Sequence, residues 1–386
     1  MKFSRILLCL CICVLFVLIV AYPSTTLQAT KNSISIFYYY VVPSMLPFFI
    51  ASQIFLQTGV LKLLAKLFAP ITRRLLGCSG HFAFIYLSSA FSGYPMGAKI
   101  TASLYEQGEL DQRSALISLI GTSITGPVFI IGSICTSMLA DPSASFYFLL
   151  PHYLSALLVA IAFRFALSKK IPKAPIDSRR QTWRETFREF AKPTGPSVDV
   201  GEMLSSSIMN AISTVLQIGG FIVLFGVVTA LLEEVDVLYW LSYLLSPIFG
   251  GLGIDEKATY GFLYGLMEIT GGISRIATVD MLQAGKLCLI SFLISFGGLS
   301  IHAQTLSLFG KTKINAKYFS VLKFLQGIVS ASLTGLLLQI QRPVSVFHPS
   351  PLPSMPSIFS YISVGILVIS LICLGIFFWR KRSRGI

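Results

Sequence analysis

Acidic side chains are scarce in this chain: its 386 residues hold 16 Asp and Glu against 30 Lys and Arg, and charged residues together make up only 12%. So little charge cannot cover the surface of a soluble domain. With 54% hydrophobic residues and a mean hydropathy of +0.77, most of the chain must face lipid. The net charge of +14 sits in short loops between apolar runs. That is the pattern of loops held near anionic headgroups, and it excludes a nucleic-acid partner, which would need a soluble basic face. The seven cysteines (Cys9, Cys11, Cys13, Cys78, Cys135, Cys288 and Cys373) lie mostly inside apolar runs and form no CxxC or Cys/His cluster. They read as small hydrophobes, so no metal and no cofactor is expected. Phosphate-binding loops, HExxH and Ser-His-Asp constellations are absent from the sequence too, and the lipid-embedded acids form no pair suited to acid–base work. The chain is not expected to be an enzyme.

What is present is a repeat. Pro70-Ile71 recurs 177 positions on as Pro247-Ile248, Gly108 and Leu110 as Gly285 and Leu287, and Gly121-x-Ser123-Ile124 as Gly298-x-Ser300-Ile301. Apolar stretches long enough to span a bilayer fall at 6–22, 36–57, 114–139, 145–168, 205–232, 288–309, 318–340 and 357–379. Two further stretches, 81–105 and 258–280, are interrupted near the middle by Gly, Pro or Thr. They predict re-entrant helical hairpins, which are tolerated at membrane depth when buried in protein or lining a wet cavity.

The charged loops orient these segments. Basic residues crowd 169–192, the C-terminal Arg380-Lys381-Arg382-x-Arg384, the region from Lys62 to Arg74, and Lys311 to Lys317; the positive-inside rule makes all four cytoplasmic. Threading the chain accordingly gives an all-α polytopic membrane protein with about eight full spans plus two hairpins. The two repeats have inverted topology, with the hairpins entering from opposite faces and both termini in the cytoplasm. Paired broken segments in such repeats point to a binding site near the bilayer midplane. Lys2 and Arg5 precede an unbroken apolar run, and Tyr22-Pro23 is a poor processing site, so the first helix is expected to be retained. The expected organisation is an anchor helix with external linker (1–35), the first repeat (36–140), a connecting span (141–168), a basic cytoplasmic loop with an amphipathic helix around Trp183, Phe187 and Phe190 (169–204), the second repeat (205–317), and C-terminal spans with a basic tail (318–386). Segments 60–76 and 237–250 are expected to lie in the interface plane.

Candidate site residues follow from the broken segments. Glu268 stands in an apolar stretch, where an unpaired carboxylate costs about 2.5–3.5 kcal/mol on insertion scales. It serves a solute, an ion or a proton, or else it pairs with Lys99 or Arg275 or accepts backbone N–H groups at the hairpin turn. Lys99 and Arg275 sit just past the two turns, placed to meet an anion or to snorkel to headgroups. The turns themselves, Ser92-Gly93-Tyr94-Pro95 with Gly97, and Thr270-Gly271-Gly272, offer backbone groups to a solute. Ser123, Thr125, Ser300, His302 and Gln304 occupy equivalent places in the spans that follow, as ligand contacts or as interhelical packing. Pro127 would open backbone carbonyls beside them. His81 and His152 are expected at the interface.

Four motifs, Ser92-Gly93-Tyr94-Pro95-Met96-Gly97-Ala98-Lys99, Thr125-Gly126-Pro127-x-Phe129-Ile130-x-Gly132, Glu268-Ile269-Thr270-x-Gly272 and Phe296-Gly297-Gly298-Leu299-Ser300-Ile301-His302-x-Gln304, resemble those of the YlbJ-type sporulation integral membrane proteins, which carry nucleoside-recognition Gate repeats. The resemblance covers roughly residues 36–340. It implies a bacterial membrane protein of endospore formation, tied to cortex assembly, in the cell (inner) membrane or a membrane surrounding the forespore. The expected activity is secondary transport or facilitated passage of a small polar or anionic solute. Glu268 would be the coupling or orienting carboxylate, with Lys99 and Arg275 as electrostatic partners. The expected partners are the lipid bilayer and an unidentified small-molecule solute, with a homo-oligomer left open. A non-transporting scaffold for a sporulation complex is the alternative, and a lipid-moving protein a third reading.

Overall fold

A computed structural model describes residues 2–58, 60–167, 200–251, 253–310, 312 and 318–340. The basic loop around Trp183, the candidate span 357–379 and the basic tail lie outside the described residues. Among the described residues every regular element is helical. Helices α1 (Lys2–Ala21) and α2 (Pro23–Ile36) lead through a π-helical turn, Phe37–Val41, into α3 (Val42–Gln57). Next come α4 (Val60–Leu75), α5 (His81–Ser92), α6 (Met96–Glu106), α7 (Gln112–Thr122), a π-helix Phe129–Met138 and α8 (Ser145–Leu167). The second series is α9 (Val200–Glu234), α10 (Val237–Gly251), α11 (Glu256–Met267), α12 (Ile269–Thr278), α13 (Gln283–Phe296), α14 (Gly298–Phe309) and α15 (Phe319–Ile340). The order of elements from α4 to α8 thus recurs from α10 to α15, at the spacing of the sequence repeat.

Local chemistry accounts for the boundaries. Asp111 caps α7 by accepting the Ser114 N–H at 3.1 Å, and Asp255 caps α11 by accepting the Lys257 N–H at 2.6 Å. Helices α5 and α6 form the first interrupted stretch, joined through Gly93 and a cis Tyr94–Pro95 peptide; α11 and α12 form the second, joined at an extended Glu268. Both match the expected positions of the hairpins.

The spans differ from expectation in number. Among the described residues four helices are long and apolar enough to cross a membrane (Pro142–Phe165, Val200–Glu234, Gln283–Phe309 and Phe319–Ile340), or six if two bent pairs each count as one span. The expected span 114–139 is not continuous. Helix α7 stops at Thr122, residues 123–126 are unwound, and the π-helix follows. The physical reason is Pro127: a continuous helix would need its N–H to bond the Ser123 carbonyl, and proline has none. The expected span 288–309 falls within Gln283–Phe309 and is interrupted only locally, at Gly297 and Gly298, whose φ angles of +90° and +71° are open to glycine but strained for other residues. The expected span 36–57 contains the π-helical turn.

Packing builds two large apolar cores, with α15 laid against both α8 and α13, and a small third cluster of Ala29, Val227 and Leu231. One large core gathers α5, α6, α7 and part of α8, with Phe309 of α14 entering it. The other large core gathers α11, α12 and α13, with Ile130, Ile134 and Cys135 of the π-helix entering it. The exchange is reciprocal: α6 of the first series packs on α14 of the second, and α12 of the second packs on the π-helix of the first. Expected interfacial segments 60–76 and 237–250 become α4 and α10, which leave Leu67, Ile71, Leu75, Trp240, Leu244 and Ile248 exposed.

Candidate functional site

Where the two broken helices approach one another there is an open-mouthed cavity of about 600 Å³, the solvent space at its mouth included. Ile36, Val41, Met45, Phe129, Ile218, Ile222, Ile269 and Ile301 make most of its wall. The polar groups are few and come from both series: Tyr94 and Thr125 from the first, Glu268, Thr270, Ser300 and Gln304 from the second. An apolar pocket with a small set of convergent polar groups is the ordinary form of a small-molecule site.

Close backbone contact holds each hairpin turn against its break. A Cβ on Gly97 would fall 2.3 Å from the Thr122 carbonyl oxygen, so only glycine lets α6 sit on the end of α7. Glu268 closes the second turn. Its carboxylate accepts the Thr270 N–H at 2.9 Å and the Gly271 N–H at 2.7 Å, satisfying two orphan donors at the start of α12. This is one of the structural roles considered above, and Glu268 also lines the cavity.

Lys99 and Arg275 stand away from the cavity wall. The Lys99 ammonium donates to the Asn210 carbonyl at 3.0 Å and to the Thr214 hydroxyl, tying α6 to α9. Arg275 pairs with Glu233 rather than Glu268, at 2.8 Å, with both side chains more than one-third exposed. Its guanidinium lies 3.8 Å from the centroid of the Tyr264 ring. Of the remaining expected residues, Ser92 and Ser123 are buried, the Ser92 hydroxyl 3.5 Å from that of Ser52 on α3 and the Ser123 hydroxyl donating to the Leu119 carbonyl at 2.6 Å. Gly93, Pro95, Gly97, Gly271 and Gly272 shape the turns. His302 sits behind the wall, its Nε2 donating to the Phe296 carbonyl at 2.8 Å and its Nδ1 against the Ser320 hydroxyl at 3.0 Å.

Behind the cavity lies a buried polar network that the sequence did not single out. His152, expected at an interface, is fully buried. Its Nε2 accepts the Thr125 N–H at 2.8 Å, so the proton of this neutral imidazole is on Nδ1, which donates to the Ser295 hydroxyl at 2.8 Å. The Thr125 hydroxyl donates to the Ile294 carbonyl at 3.2 Å. These contacts stitch the first break directly to the end of α13. Lys323 of α15 is also fully buried. Its ammonium donates at 2.6 Å to the Ser123 carbonyl and at 2.6 Å to Gln326 Oε1, and it lies 5.1 Å from the Tyr94 ring centroid. Gln326 donates in turn to the His152 carbonyl at 3.4 Å. The buried Tyr94 hydroxyl has no hydrogen-bond partner among the described residues.

The fold and this site define an integral membrane protein whose helices break around an internal cavity. A family model described as nucleoside recognition, Gate, matches residues 38–142 and 215–348, and the chain belongs to that family. It is also similar to the sporulation integral membrane protein YlbJ of Bacillus subtilis (strain 168), with 26% identity over 328 residues, covering 83% of this chain and 79% of that protein. No solved structure matches.

Proposed function

We propose that this is a membrane protein of endospore formation, acting in cortex assembly, and that it passes a small polar or anionic solute through the cavity between its two repeats. The two repeats would have inverted topology and move against one another about the site. The observation that carries this reading is the convergence of both helix breaks and both hairpin turns on one cavity, with polar groups drawn from each repeat. Broken helices meeting at a central site are the recurrent architecture of secondary transporters. The similarity to a sporulation integral membrane protein supports the cellular setting. The preference for a polar or anionic solute rests on the Tyr94 hydroxyl, on the Glu268 turn, and on the positive charge of Lys323 one ring away from the wall.

The test is a thermal-shift screen of small polar and anionic solutes on the purified protein, followed by flux of the stabilising compound in proteoliposomes. A ligand at a hundred times its Kd stabilises by about 2.7 kcal/mol, which such a screen detects. Flux through the wild type and its loss in Glu268→Gln are expected. Unchanged flux in Glu268→Gln would remove that residue's role. Accessibility labelling of single cysteines at the two hairpin turns checks the topology, and labelling of both turns from one side of the membrane contradicts it.

A further inference from the structure

Lys323 presents an unusual balance of charge. Taking an ammonium out of water costs several kcal/mol, and buried cations are normally matched by an anion. Among the described residues no carboxylate pairs with Lys323. What it meets is oxygen without formal charge: the Gln326 amide and the Ser123 carbonyl. That carbonyl is free because Pro127 cannot supply the helical N–H, so the sequence itself vacates the acceptor that Lys323 fills. The ring of Tyr94 supplies a third, softer face. The titratable groups around it are His152 on α8, His302 on α14 and Tyr94 at the first turn, none of them an acid. Unwound carbonyls at helix breaks are where transporters of this architecture hold a coupling cation.

We infer that the Lys323 ammonium is a tethered cation occupying a monovalent-cation seat at the first break, so that closure of the protein around its cavity needs no dissolved sodium. Removing the side chain turns that seat into a sodium site. The inference rests on the solute-passage reading for its meaning, but its test reads stability and not flux, so the two can fail separately.

The experiment measures the unfolding midpoint of the purified full-length protein in sodium chloride and in choline chloride at equal ionic strength, with lithium and potassium chloride as further arms. The wild type is expected to have the same midpoint in all four. Lys323→Ala is expected to be less stable in choline and to recover roughly 5 °C in sodium or lithium, the scale of a bound ligand well above its Kd. Lys323→Met, which fills the space with an uncharged chain, should be destabilised equally in every salt. Should Lys323→Ala not survive purification, Lys323→Ser, which adds an oxygen to the vacated seat, carries the same test. Recovery of folded Lys323→Ser only in sodium- or lithium-containing buffer supports the inference. An alanine or serine variant indifferent to all four salts overturns it and marks Lys323 as a structural strut. A sodium-specific rise in the wild type also overturns it.

Discussion

Gly272 gives the sharpest test of how the second hairpin is built. A Cβ at this position would lie 2.2 Å from the Cα and 2.3 Å from the nitrogen of Gly265, and 2.8 Å from the Gly261 carbonyl oxygen. All three atoms are backbone of α11, so no side chain can rotate away. Ordinary carbon contacts begin near 3.5 Å, so α11 and α12 would have to separate by roughly 1 Å in Gly272→Ala. Overpacking of this kind costs typically about 1–3 kcal/mol, and backbone against backbone belongs at the upper end. The gain in helix propensity from Gly to Ala returns up to about 1 kcal/mol, leaving a net loss near 2 kcal/mol. Gly220→Ala is the control: it lies in α9, and a Cβ there would meet nothing within 4 Å. Thermal unfolding in detergent, followed by fluorescence-detected size exclusion, should show Gly272→Ala several degrees below wild type and Gly220→Ala level with it or above. Equal midpoints for the two variants would refute the close approach of the hairpin arms.

Other outcomes follow from the same geometry. His152→Phe leaves the buried Thr125 N–H and Ser295 hydroxyl without their partner, and each orphan costs about 1–3 kcal/mol; the variant should melt well below wild type, whereas loss of an interfacial histidine would change little. Glu233→Gln breaks the ion pair with Arg275, but both side chains are partly exposed, so less than about 1 kcal/mol should be lost. That difference should shrink further in high salt, and a salt-independent loss of several kcal/mol would contradict it.

The parts of this architecture written in local sequence could be read directly. Gly, Pro and Thr inside apolar stretches located both hairpins, and the 177-residue repeat located the equivalent breaks. Pro127 was read as opening carbonyls, and it ends a helix that hydropathy alone carries through to residue 139. Polar partners that are remote in the chain could not be read. Lys323 reaches a carbonyl 200 positions away and His152 a hydroxyl 143 positions away. Within its own window each looks like a stray polar residue in an apolar helix. Arg275 misled in the other direction: its neighbour in sequence is Glu268, but the helix carries its guanidinium to Glu233. The signal for Lys323 was a lone cation inside a candidate span, one to two turns from its start, which marks function or an unseen partner in any intramembrane segment.

The crosswise seating of α6 on α14 and of α12 on the π-helix has a consequence for how such a molecule can be divided. Each repeat lends a limb to its sibling and cannot finish its own interior without the loan. Produced as two separate polypeptides split between Leu167 and Val200, neither piece should be monodisperse alone, yet the two synthesised together should reassemble. A lone piece would find its missing limb only in another copy of itself.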